Sequence, residues 1–201
     1  MCKTNRPIFS MLALAPVAII ILISILISAA CSVNVKKEQN GEDKQVDIDT
    51  PMGGIHVSKG ANVSDVGLAV YPGARLKQKG TDGEDKSANV NISSFGFGLK
   101  VVALEYESDD PPSKLIAFYK DQLHKYGHVV ECHTSHFDVN TNMDRHDHSP
   151  REVTCEGTSG RDIELKVGTD ENQHIVAVQP EGSGSSFSLV YVRTRGKQTD
   201  I

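Results

Sequence analysis

The chain has 201 residues, is 38% hydrophobic and has no Trp, the scale of one domain with tails. Its charge is unevenly placed: Lys3 and Arg6 precede an apolar run, Met11 to Ala30, and no acid occurs before Cys31. Without those two bases, 19 Lys+Arg face 26 Asp+Glu, a net charge near −7. That balance argues against nucleic acid, which needs a basic face, and against adsorption to anionic headgroups through surface charge.

Positive charge, an apolar core and the small residues Ser28-Ala29-Ala30 before Cys31 have the order of a secretory signal. Ile27 to Cys31 resembles a bacterial lipobox, in which the Cys is acylated and becomes the mature N-terminus. Ser28 departs from it, standing where a branched apolar residue is usual. The apolar run is also long enough, at about 20 residues, to cross a bilayer uncleaved. Residues 1–31 are therefore read as a signal with lipidation at Cys31, or as a transmembrane anchor. Free secretion is the third option. All of these place the rest of the chain on the extracytoplasmic side of a membrane. Ser32 to Gln45 is polar and reads as a tether (residues 32–45).

A single domain is expected over residues 46–194. Val46-Asp47-Ile48-Asp49 and Ile55-His56-Val57 alternate around Pro51-Met52-Gly53-Gly54, a hairpin pattern. Tyr71-Pro72-Gly73-Ala74 marks a turn. Ala88–Ile92 and Leu99–Glu107 read as strands joined through Ser94-Phe95-Gly96-Phe97-Gly98, the second apolar on both faces and so central. Pro111-Pro112 opens a helix in which Leu115, Phe118, Tyr119, Leu123 and Tyr126 recur at helical spacing, with Gly127 as its stop. Strands follow at His128–His133, Glu152–Glu156, Asp162–Val167, His174–Gln179 and Ser186–Arg193, and residues 195–201 form a polar tail. The expected fold is α+β: an antiparallel sheet of about five to seven strands with one amphipathic helix on one face.

Four Cys are present. Cys2 stays with the signal, and Cys31 is the lipidation candidate. Cys132 and Cys155 lie in an oxidising compartment, where a disulfide is the default; closing that loop stabilises the fold by about 3 kcal/mol in the chain-entropy account.

Val70-Tyr71-Pro72-Gly73-Ala74, the strand ending Glu105-Tyr106, Phe118-Tyr119-Lys120-Asp121-Gln122-Leu123 and Tyr126-Gly127 together resemble a family of uncharacterised bacterial lipoproteins and membrane-anchored proteins of Acidobacteria type. The likeness spans most of Val46 to Arg193. It implies the fold and the location, and it carries no activity and no site residue.

Chemistry is concentrated between Cys132 and Cys155. His133, His136, His146 and His148 stand there with Asp144 and Asp147, a donor set suited to Zn, Cu or Ni. The competing reading is a solvated loop, because no fixed ligand spacing is present. Nucleophile elbow, phosphate loop, dinucleotide fingerprint and helical His-pair metalloprotease motifs are absent, and Gly157-Thr158-Ser159-Gly160 reads as a turn. The expectation is a non-enzymatic, membrane-tethered envelope domain that binds a protein or other ligand, or contributes to envelope structure. A transition-metal-binding protein and an enzyme with an unrecognised site are the alternatives.

Overall fold

A computed structural model describes residues 32–36, 45–58, 60–79, 84–134, 150–155 and 160–196. Met11–Ala30, Cys31, residues 157–159 of the stretch read as a turn, and the last residues of the tail lie outside the described residues.

The sheet starts earlier than expected. Ser32–Lys36, read above as tether, is strand β1, paired with β2 (Gln45–Thr50). The register sets Val33 opposite Ile48 and Val35 opposite Val46, so the alternation of Ser-Val-Asn-Val-Lys matches that of its neighbour. β2 turns at Pro51-Met52 into β3 (Gly53–Ser58), the expected hairpin.

Next comes a short helix, α1 (Val63–Val66), which lies between an Asn62 cap and Gly67 in the left-handed region. β4 (Arg75–Leu76) and the ribbon β5 (Gln78–Lys79) and β6 (Glu84–Asp85) lead to β7 (Ser87–Ser94) and β8 (Phe97–Ser108). The β7–β8 hairpin closes over Phe95-Gly96, with Gly96 at φ +82°. β7 pairs with Phe97–Leu104 of β8, and β4 continues along the same edge opposite Tyr106 and Glu107.

α2 (Pro112–Leu123) matches the expected helix; a 3-10 turn, His124–Tyr126, carries it to Gly127. β9 (Val130–Thr134), β10 (Asp162–Thr169), β11 (Asn172–Glu181) and β12 (Gly184–Arg195) complete the chain. Of the expected strand Glu152–Glu156, the described residues, which end at Cys155, form no strand: among them Glu152 bridges Thr169, and the Val153 N–H donates to the Gly168 carbonyl. β9 already occupies the edge of β10 from Asp162 to Lys166, so only the last residues of β10 are left for it.

The main sheet runs β1-β2-β3-β7-β8-β12-β11-β10-β9, all antiparallel. Nine strands in line exceed the five to seven expected, because β3 joins the N-terminal hairpin to β7 and β1 adds an edge. α2 is the crossover from β8 in the centre to β9 at the far edge. The chain then returns strand by strand to β8, and the crossover lays α2 against β10 and β11.

The core lies under α1 and α2. Leu115, Tyr119 and Leu123 meet Val102, Leu104 and Tyr106 of β8, Phe187 and Leu189 of β12, Val176 and Val178 of β11, and Leu165 and Val167 of β10. On the opposite face Ile175, Val190 and Val192 form a second buried cluster with Leu99, Val101 and Ala103. Two-sided burial explains why β8 reads as apolar on both faces, and it extends to β11 and β12.

Candidate functional site

The expected disulfide is present. Cys132, buried on β9, is bonded to Cys155 with their Cα atoms 5.4 Å apart. Of the His/Asp candidates only His133 is described. It lies one residue past Cys132, half exposed, with Nε2 3.6 Å from Oε1 of Glu131. His136, Asp144, His146, Asp147 and His148 lie outside the described residues. Among the described residues no group of three or more His, Cys, Asp or Glu is arranged to hold a metal ion.

Among the described residues, tertiary pairing assembles four polar groupings. On the N-terminal hairpin, His56 Nδ1 is 2.9 Å from Asp47 Oδ1 and its Nε2 is 3.7 Å from Asp49. The hydrogen bond to Asp47 holds the imidazolium and raises the His56 pKa above its ordinary value.

His174 has the opposite setting. It is 8% exposed, stacked on Tyr126 at 3.8 Å and tilted against Tyr191 at 4.9 Å. Its ring bonds the Val66 backbone, and Nδ1 is buried without a hydrogen-bond partner. Burial pushes its pKa down, and Lys125 nearby acts in the same direction. The Tyr126 hydroxyl and Lys125 both donate to the Gly67 carbonyl, at 2.6 and 3.0 Å, tying the 3-10 turn to the end of α1.

The third grouping is Glu164 and Lys166 on β10. Glu164 is 1% exposed; its Oε2 is 2.9 Å from Lys166 Nζ, and its Oε1 has no partner. The register places Glu164 between Cys132 of β9 and Ala177 of β11.

The fourth is a line of ion pairs beside β8: Arg75 with Glu107 and Asp109, Lys77 with Glu181 and Glu105, and Lys86 with Glu105. Its paired charges, more than half exposed in places, read as solvated surface.

The turn and helix motifs meet each other. The Tyr71 N–H donates to the buried Tyr119 hydroxyl at 3.0 Å, the Tyr71 ring meets Phe118 edge-on at 5.3 Å, and the Tyr71 hydroxyl donates to Asp110 at 2.8 Å. Their role is to lock the turn onto α2.

At one end of the sheet two hairpin tips lie side by side. The Phe95 N–H donates to the Met52 carbonyl at 3.2 Å, and both side chains are open to solvent, 77% and 68% exposed. Among the described residues no helix is long and apolar enough to cross a membrane. No family model, curated protein or solved structure matches this chain.

Proposed function

We propose that the chain is an extracytoplasmic envelope domain, tethered to a membrane by its N-terminus, that serves in binding or scaffolding rather than catalysis. The observation that supports this reading most directly is the start of the sheet. β1 begins at Ser32, one residue after the lipidation candidate Cys31 and two after the apolar run. An anchor in residues 1–31 would thus carry a nine-stranded sheet on almost no linker. A rigid mount suits a domain that holds a partner or a surface at a set distance. Membrane fractionation of the full chain tests it. Recovery of the wild-type chain in the soluble fraction removes the proposal. With Cys31→Ala, loss of membrane association favours the lipid anchor, and unchanged size and fractionation favour the uncleaved helix.

A second reading, a Zn, Cu or Ni site in the loop from His133 to His148, is favoured by the disulfide. The bond holds Cys132 and Cys155, which flank those residues, 5.4 Å apart at Cα, and so lowers the entropic cost of bringing the donors together. Calorimetry with each metal on the full chain tests it, and binding weaker than about 100 μM, or about 5.5 kcal/mol, removes it.

A further inference from the structure

We infer that the Met52–Phe95 end of the sheet is a membrane-contacting tip, which seats the domain upright on a phospholipid bilayer. The inference rests on the tethering proposed above, and adds where and how the domain meets the lipid.

Three observations converge on that end. First, the register of β1 sets Ser32 opposite Asp49, beside the Pro51-Met52 turn. One peptide bond separates Ser32 from Cys31, so attachment through residues 1–31 holds this end, and not the other, at the membrane. Second, Gly53 pairs with Ser94, and the Phe95 N–H bonds the Met52 carbonyl, so the two turns form one tip although they are distant in sequence. Third, two of the four large hydrophobic side chains most open to solvent among the described residues, Met52 and Phe95, are on it. A flexible thioether and an aromatic ring at a projecting turn suit insertion to about 5–10 Å, the depth of the headgroup–acyl boundary.

Charge does not select the lipid. Lys100, Arg193 and Arg195 sit near this end, and so do Asp49, Asp170 and Glu171. Contact is therefore driven by apolar burial, and occurs on uncharged as well as anionic bilayers. The opposite end presents the Gly182-Ser183 turn. It stands roughly 40 Å away, since β8 alone has 12 residues at about 3.4 Å each.

The absence of Trp makes a direct test simple, because one introduced indole is the sole reporter. The full chain is extracted from membranes and reconstituted in phosphatidylcholine vesicles with brominated acyl chains, as Phe95→Trp, Met52→Trp and Ser183→Trp variants. All three positions are exposed, so the fold tolerates the ring. The expected result is a blue shift and bromine quenching for Phe95→Trp and Met52→Trp, unchanged by salt, with neither effect for Ser183→Trp. If the protein floats with the vesicles and the tip indoles behave like that of Ser183→Trp, the tip points away from lipid and the inference falls while the tether stands. Failure of the wild-type chain to float overturns both.

Discussion

The backbone N–H of Phe95 bonds the carbonyl of Met52 at 3.2 Å, joining the turns of two hairpins into one exposed apolar tip. The junction depends on Gly53. Its φ is +152°, and a Cβ there would lie 2.0 Å from the Ser93 carbonyl oxygen. Gly53→Ala is expected to force β3 away from β7 and to destabilise the domain by about 1–3 kcal/mol. Urea unfolding of the variant checks this, and an unchanged midpoint would contradict the pairing.

The disulfide closes a 23-residue separation. Removing the crosslink in a Cys132→Ala/Cys155→Ala variant is expected to lower stability by about 3 kcal/mol through the unfolded chain. Because Cys132 is buried, the lost packing adds to this. Denaturation of the wild type with and without reductant separates the two contributions.

Tyr119→Phe removes the acceptor of the Tyr71 N–H while leaving the ring in the core. The expected loss is about 1–3 kcal/mol, the cost of a polar group left unpaired. Tyr71→Phe releases Asp110, which keeps Lys114 at 2.6 Å, and is expected to cost less. A larger loss for Tyr71→Phe than for Tyr119→Phe would place the weight of the lock on the Tyr71 hydroxyl instead.

Two histidines move oppositely from the ordinary pKa of 6.5. His174 is lowered by burial, so it stays neutral in the fold while the unfolded chain takes up a proton; stability falls as pH drops below 6.5, down to the folded pKa. His56 is raised by Asp47. Its contribution is complete below pH 6.5 and is lost as pH rises through its folded pKa. Proton NMR titration of the ring signals should place His174 below 6.5 and His56 above it. The reverse order would refute both environments.

The Glu164–Lys166 pair is almost fully buried, with side chains 2% and 11% exposed. Glu164→Gln takes the counter-charge from the ammonium, and a loss of about 3–5 kcal/mol is expected. Glu164→Leu with Lys166→Met removes both charges and is expected to restore most of that stability. If the double variant is no better than the single, packing rather than charge governs the position.

Much of the architecture was legible along the chain, because local signals report local structure. The Pro111-Pro112 start, the helical spacing of Leu115, Tyr119 and Leu123, and the glycine stop at Gly127 describe α2 closely. Alternation located β2, β3 and β8. Besides the number of strands, two readings changed. Ser32–Lys36 looked like tether because its polar positions outnumber its valines, and only the matching alternation of β2 makes it a strand. Glu152–Glu156 looked like a strand because pattern alone cannot show that β9 already holds the edge of β10.

Sites were less legible. The histidine-rich stretch stood out by composition, yet His56 and His174, which their surroundings shift in opposite directions, were ordinary residues until the sheet was assembled. Asp47 faces His56 across a strand pair, and Tyr126 reaches His174 from the end of a helix. By itself the sequence determined the apolar N-terminal run, the cysteine pair and the helix, since each depends on residues near one another or on covalent chemistry. Tertiary structure alone decided the strand order, the buried Glu164–Lys166 pair and the meeting of Met52 with Phe95 beside Ser32. Those depend on register, and register is set by pairing between distant segments.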